Sequence, residues 1–491
     1  MFSRRFLCGC IVIVSGLFCP LCLSAQVFVN GDIDDVLVTD HTGGYLGHGV
    51  SFADFNGDGN DDLTFPQWTG EIRLYAGDGA GGFVLTNLGL GNTGGEPKCA
   101  LWVDLDNDGD QDLFVTQRLA PNILYARMPD GSLQAVPDAA GMAGSELERA
   151  YGASVADYDK DGRLDVYISH FHHPQSNSEQ NRLFRSMGGS DLDMMFEDVT
   201  EYAGVGNGVQ QSFQATWVDL DRDGWLDLHV INDRLQWKDA LYRNLGDGTF
   251  VNVAPDLGVD VAEYSMSSTV ADYDKDGDWD FVISNGATRG NRFLQCEGQP
   301  FQTGNAGPGP LNYLEVGEDA GIILNHLAWG ALWFDANNDG WQDLYIGTGT
   351  SNYSDYPGIF EVFGETENGF WMNNQGDFPL ENISPSVPFD HDLAFSSACL
   401  EFSMRIEANL HRPLYCASVP YFFCEKSGLA RKRIGDGSDG DACAVSNTLH
   451  CENRRPRAQF QVGTLCMYYA RCRFTQKVHV DVASDCLCDR P

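Results

Sequence analysis

One nine-residue pattern, D-x-[DN]-x-D-G-x-x-D, occurs six times along the chain. It reads DFNGDGNDD at 54–62, DLDNDGDQD at 104–112, DYDKDGRLD at 157–165, DLDRDGWLD at 219–227, DYDKDGDWD at 272–280 and DANNDGWQD at 335–343. The first aspartates are 50, 53, 62, 53 and 63 residues apart. A repeat of that period is one supersecondary unit that buries its apolar faces only against its neighbours. The repeat therefore sets the architecture before any other feature is read.

Carboxylates this close repel one another, and a divalent cation between them turns the repulsion into attraction. Calcium is a hard cation that takes about 6–8 oxygen ligands. The first loop offers Asp54, Asn56, Asp58, Asn60 and Asp62, and the second Asp104, Asp106, Asp108, Asp110 and Asp112. The third offers Asp157, Asp159, Asp161, Arg163 and Asp165, and the fourth Asp219, Asp221, Asp223, Trp225 and Asp227. The fifth offers Asp272, Asp274, Asp276, Asp278 and Asp280, and the sixth Asp335, Asn337, Asp339, Trp341 and Asp343. Positions one, three and five converge when the chain wraps an ion, and the glycine at position six permits the sharp turn. Position seven varies, as expected of a residue that contributes its backbone carbonyl. Position nine is always aspartate and is expected to close the shell. The spacing thus predicts about six structural Ca²⁺ sites.

An EF-hand is excluded. That loop needs a glutamate at position twelve and helices on both sides. Position twelve here is Phe65, Val115, Ile168, Val230, Ile283 or Ile346. The residues after each loop alternate as β-formers (DLFVT, DVYIS, DLHVI), and those before it are strand-like (ALWV, GASVA, ATWV). Each loop therefore joins two strands of a hairpin. A second theme recurs between loops, as in ALYRNLGDGTFVNVAPDLGV at 240–259 and MFEDVTEYAGV at 195–205. It adds two strands around an outer turn, giving four per repeat, the signature of a propeller blade.

These residues resemble the FG-GAP/VCBS repeats of integrin α-subunit propellers. FEDVTEYAGV and LYRNLGDGTFVNVAPDLGV resemble more narrowly the cartilage-acidic-protein-like (ASPIC/UnbV-associated) group. The resemblance covers residues 45–386. It implies an all-β chain, a seven-bladed β-propeller with calcium in loops on one face, and a role in adhesion or in protein or glycan binding. The chain departs from that pattern in showing six loops rather than seven and in replacing most Phe-Gly and Gly-Ala-Pro signatures, and the C-terminal domain typical of the narrower group is not recognisable in it.

Net charge is −39. Self-repulsion of that size argues against nucleic acid or an anionic membrane as partner, and bound cations relieve it. With 43% hydrophobic and 12% aromatic residues, the chain can build a large core. Residues 1–25, with Arg4, Arg5, an apolar run and then Ser24 and Ala25, read as a signal peptide. The propeller is assigned to 26–388. Residues 389–491 carry 13 Lys+Arg against 12 Asp+Glu and nine of the fifteen cysteines. This tail has two readings: a disulfide module with one thiol left over, or out-of-frame sequence that interrupts a seventh blade.

Other constellations are weaker. HFHHP at 170–174 has metal-capable histidines but reads first as packed or solvated. Trp102, Trp217 and Trp333 precede loops and are expected in the core, whereas Trp225 and Trp341 sit inside loops and are expected to be exposed. Cys99 and Cys296 lie in distant repeats and are expected as unpaired core thiols. No G-x-S-x-G, H-E-x-x-H or P-loop motif is present. The expectation is a secreted calcium-binding scaffold whose partner is an extracellular protein or glycan, with no membrane span after signal cleavage. The alternatives are an exported polysaccharide-active enzyme that uses the propeller face or channel, and a spacer in a larger exported assembly.

Overall fold

The computed structural model describes residues 48–384, apart from 80–81, 174–178, 286–289, 298–310, 325–327, 338 and 349–367. The signal-peptide reading, the cysteine-rich tail and any seventh blade in it lie outside the described residues. Among the described residues the strands form six four-stranded antiparallel sheets, each built from consecutive strands. The first holds β1 (Ser51–Ala53), β2 (Asp62–Pro66), β3 (Ile72–Gly77) and β4 (Phe83–Thr86). The second holds β5 (Glu96–Val103), β6 (Asp112–Arg118), β7 (Ile123–Arg127) and β8 (Leu133–Ala135). The third holds β9 (Ala150–Ala156), β10 (Asp165–His170), β11 (Arg182–Gly188) and β12 (Met195–Asp198). The fourth holds β13 (Ser212–Val218), β14 (Asp227–Asn232), β15 (Ala240–Asn244) and β16 (Phe250–Asn252). The fifth holds β17 (Ser265–Ala271), β18 (Asp280–Asn285), β19 (Arg292–Cys296) and β20 (Tyr313–Glu315). The sixth holds β21 (Ala328–Phe334), β22 (Asp343–Thr348), β23 (Gly369–Asn374) and β24 (Asp377–Asn382). The all-β, four-strand-per-repeat reading is therefore correct.

The sheets pack face to face in chain order around an axis, as propeller blades do. Tyr158 and Leu183 of the third meet Trp217 and Phe250 of the fourth, and Tyr273 and Phe293 of the fifth meet Trp333 and Trp371 of the sixth. Leu332, Phe334, Tyr345 and Phe370 of the sixth then meet Val50, Phe52, Leu63 and Tyr75 of the first, so the described sheets join end to end. Burial falls from axis to rim. All seven residues of β13 are buried, whereas β16 buries only Phe250 of its three. This explains why the inner strands read as near-continuous apolar or small runs while the outer ones are mixed. Trp102, Trp217 and Trp333 are fully buried, as expected. Each such side chain removes about 200 Å² from water, worth about 5 kcal/mol at about 25 cal/mol per Å². Cys99 and Cys296 are buried and form no disulfide among the described residues, also as expected.

Two features were not legible as strands or turns. A one-turn helix follows the fourth strand in three sheets: α1 (Thr200–Ala203), α2 (Ala254–Leu257) and α3 (Gly317–Ala320). Each ends on a left-handed glycine, Gly204, Gly258 or Gly321, that turns the chain back toward the next inner strand. The second feature lies at the start of the inner strands, opposite the aspartate loops. There the pairing skips one residue or two, at Lys98, Tyr151, Phe213, Met266 and Trp329–Gly330. A bulge re-aims its side chain, and here it swings one toward the axis. Phe213 of the fourth sheet lies 6.4 Å, ring to ring, from Trp329 of the sixth. Two sheets that are not neighbours can touch only across the axis. Tyr151, Phe171, Phe213, Ile231, Met266 and Trp329 thus form one cluster that fills it at that end.

Candidate metal centres

Each aspartate loop caps the hairpin of the two innermost strands. The residue before position one pairs with the aspartate at position nine: Ala53 with Asp62, Val103 with Asp112, Ala156 with Asp165, Val218 with Asp227, Ala271 with Asp280 and Phe334 with Asp343. All six loops therefore sit at the same end of their sheets, away from the aromatic cluster.

The loop conformation follows from its own hydrogen bonds. In the second loop, position one accepts the N–H groups of positions five and six, Asp108 to Asp104 at 3.1 Å and Gly109 to Asp104 at 3.0 Å. Position three accepts from position five, Asp108 to Asp106 at 3.2 Å, and position five from position seven, Asp110 to Asp108 at 3.0 Å. The first and sixth loops repeat the whole set, with Asn56 and Asn337 accepting through their amide oxygens at 2.8 and 2.7 Å. The glycine at position six has φ between 88° and 99° in every loop, a region that only glycine enters freely.

Four loops bring three carboxylates within 4.8 Å of one another: Asp104, Asp106 and Asp108; Asp157, Asp159 and Asp165; Asp219, Asp221 and Asp223; Asp272, Asp274 and Asp276. These groups can hold a metal ion. In the first and sixth loops an asparagine oxygen replaces the middle carboxylate. Position seven donates its N–H to position five in each loop where both are described, from Asn60, Asp110, Arg163, Trp225, Asp278 and Trp341. Asp157 Oδ1 and Asp110 Oδ1 are buried and accept no hydrogen bond. An all-oxygen set with buried acceptor atoms left over fits a hard divalent cation.

Position nine, expected to close each shell, joins a carboxylate group only in the third loop among the described residues, through Asp165; in every loop it has another role. One oxygen of each aspartate accepts the N–H of position two, and the other accepts an N–H from the third strand. For Asp227 these donors are Leu220 at 2.9 Å and Asn244 at 2.8 Å. For Asp112 they are Leu105 at 3.0 Å and Arg127 at 3.0 Å. The same pair recurs on Asp62, Asp165, Asp280 and Asp343. This buried carboxylate pins the loop to the next strand. Burial pushes Asp62 up to about 7, Asp112, Asp165 and Asp343 to about 8, and Asp280 to about 9. The backbone N–H bonds oppose that shift, and neighbouring loop aspartates add to it. Asp104 and Asp157 rise to about 6 through burial and the adjacent carboxylates.

Position four, which carries no ligand, links the loops. Its residue is left-handed where described, at Gly57, Asn107, Lys160, Arg222 and Lys275. Asn107 donates to the carbonyl of Gly162 in the third loop at 3.1 Å. Lys160 lies 3.8 Å over the ring of Trp225 in the fourth, and Lys275 lies 3.7 Å over Trp341 in the sixth. The Arg222 guanidinium stands beside Gly277 in the fifth and acts on Asp272. Trp225 and Trp341 are thus half-buried. The expectation that they are exposed fails because each is covered by the preceding loop's lysine. The one available signal was the run of long polar residues at position four. The histidines of 170–173 do not form a metal group. His170 is buried with Nε2 at 3.4 Å from Glu148, which also binds Arg182 at 3.2 Å.

Comparison with a repeat-family model agrees with this geometry. A model described as FG-GAP-like repeat matches residues 54–115, 104–168 and 219–283, each span running from one aspartate loop through the next inner hairpin. Cartilage acidic protein 1 of Mus musculus is 31% identical over 133 residues, which are 25% of this chain and 21% of that protein. The Homo sapiens protein of that name is 30% identical over 133 residues, 25% of this chain and 20% of that one. The chain thus matches about a fifth of the length of these relatives. Among solved structures, BBS1N in complex with ARL6DN, soaked with lead, aligns at TM-score 0.40 and 9% identity over 74% of this chain and 87% of that one. The exotype rhamnogalacturonan lyase YesX aligns at TM-score 0.29 and 11% identity over 70% of this chain and 75% of that one. Among the described residues no helix is long and apolar enough to cross a membrane. With three matched spans, each beginning on an aspartate loop, the chain carries FG-GAP-like repeats and resembles cartilage acidic protein 1 weakly over a quarter of its length.

Proposed function

We propose that this chain is a secreted calcium-binding β-propeller that serves as an adhesion scaffold for an extracellular protein or glycan. The observation that carries the calcium reading is the set of convergent carboxylates held in shape by their own backbone N–H groups. Such loops are all-oxygen, crowded and pre-organised, which suits calcium more than a softer metal. Extracellular modules bind calcium with Kd of about 10⁻⁴–10⁻³ M. At about 1 mM calcium and Kd of about 10⁻⁴ M, mass action contributes about 1.4 kcal/mol per site. Six such sites sum to about 8 kcal/mol, comparable to a whole domain's stability.

The secreted location is supported by the sequence of residues 1–25 and by the similarity to cartilage acidic protein 1. The scaffold role is supported by the repeat architecture and by loops whose carboxylates are engaged within the fold. An enzyme acting through the channel meets an axis filled at one end by Tyr151, Phe213, Met266 and Trp329. The test is thermal unfolding of the whole chain across a calcium series, against excess chelator. A large calcium-dependent rise in Tm is expected. A cooperative melt indifferent to calcium would overturn the calcium reading. A glycan array and a pull-down from extracellular matrix then test the scaffold. Silence in both, with turnover of a polysaccharide, would replace it with the enzyme.

A further inference from the structure

The six loops are not electrostatically equal. The third strand of each sheet sends one N–H onto the position-nine aspartate, from Gly77, Arg127, Ser186, Asn244, Cys296 or Asn373. The residue just before that donor stands beside the same loop. It is Ala76 in the first, Ala126 in the second and Met372 in the sixth, none of which brings a side-chain donor. In the third and fourth it is Arg185 and Arg243. Arg185 Nε lies 2.6 Å from Asp159 Oδ2 and its Nη2 lies 3.3 Å from Asp161. Arg243 Nη2 lies 2.5 Å from Asp221 and 3.7 Å from Asp223. Both arginines thus engage positions three and five, two of the ligand positions. In the third loop Arg163 adds a second guanidinium on Asp161. The fifth loop has the neutral Gln295, donating to Asp274 at 3.1 Å.

We propose that Arg185 and Arg243 are built-in counter-cations that weaken calcium binding at the third and fourth loops. This rests on the calcium reading above. Arg127 also acts on Asp110 of the second loop and Arg222 on Asp272 of the fifth, but at positions seven and one, whereas Arg185 and Arg243 pair with positions three and five. The six sites then form two classes: tighter at the first, second, fifth and sixth loops, weaker at the third and fourth. The third is the weakest, because of Arg163. A unit charge about 6 Å from a divalent ion, in a water-like dielectric, changes affinity about tenfold. The two weak loops belong to adjacent sheets. Between the two dissociation constants, one sector of the loop-bearing face therefore gains or loses calcium while the rest stays loaded. That sector can report calcium concentration in a range where the others only hold the fold together.

The test is a calorimetric calcium titration of chelator-stripped whole chain. Wild type is compared with Arg185→Gln/Arg243→Gln and with Arg73→Gln, an arginine of β3 that pairs with Glu71. Wild type is expected to show two sites about tenfold weaker than the rest. The double variant should merge the fourth site with the tight class and bring the third toward it, short by the share of Arg163. Arg73→Gln controls for the general gain in negative charge and should keep the weak pair. Arg185→Lys/Arg243→Lys keeps both positive charges and should also keep it, which covers the case in which the glutamine pair fails to fold. A single class in wild type would overturn the proposal, as would a double variant that superimposes on wild type or an equal shift in Arg73→Gln. Wild type that binds no calcium would overturn the calcium reading itself, and this proposal with it.

Discussion

The two ends of the innermost strands solve opposite problems. At one end the loops repeat almost residue for residue, because each must close its own hairpin around the same set of oxygens. At the other end the corresponding side chains differ in kind: Lys98, Tyr151, Phe213, Met266 and Trp329. Tyr151, Phe213, Met266 and Trp329 share one axial space and Lys98 lies 5.0 Å over the Tyr151 ring, so only their combined volume and their mutual contacts are constrained. A local task repeated on every sheet leaves a periodic signature, and a collective task performed once leaves none.

Truncation at the axis should have the largest effect. Phe213→Ala removes the ring that meets Tyr151, Phe171 and Trp329 and is expected to cost about 3–5 kcal/mol. Denaturant melts should show that loss equally with calcium and with chelator. A loss confined to the calcium-loaded form would erase the distinction between the two ends.

The next effect separates two aspartates of one loop type. Asp227→Ala strips the partners from the N–H groups of Leu220 and Asn244, which should cost about 2–4 kcal/mol whether or not calcium is present. Asp106→Asn should cost little in chelator and remove only its site's share of the calcium increment. Equal behaviour of the two variants would mean that position nine acts as a ligand alone.

Proton binding should oppose calcium. The folded-state values near 7 to 9 at position nine lie above the ordinary carboxylate value. The metal-free fold therefore holds more protons than the unfolded chain between about pH 4 and pH 8, and its stability falls as pH rises through that window. In chelator the Tm should be higher at pH 5 than at pH 8. In calcium the order should reverse, because the ligands must be deprotonated to bind. A metal-free Tm that climbs toward pH 8 would show that the N–H bonds outweigh burial. The smallest effect belongs to the links between loops. Lys160→Ala should cost about 0.5–1 kcal/mol through the lost contact with Trp225, and it should be measurable in the fluorescence of that tryptophan.

The fold was legible in the sequence because alternation around each loop identifies a hairpin, and six hairpins at a regular period identify blades. The convergence of positions one, three and five was legible for the same reason. The double duty of Asp112 and its counterparts was not, because the second N–H comes from Arg127, fifteen residues along. Arg185 and Arg243 were invisible as loop neighbours, since only the strand register brings them alongside. The short helices α1 to α3 were hidden in segments that read as strand endings, where a terminal glycine was the only mark.

The reach of position four into the following loop has a consequence for how this chain can change. A substitution at Lys160 acts in the fourth loop rather than the third, and one at Lys275 acts in the sixth rather than the fifth. Because of this offset, a repeat lifted out and inserted elsewhere would carry its aspartates intact but meet the wrong neighbour. The unit that can be exchanged without loss is therefore not one blade but the half of one blade that reaches and the half of the next that receives.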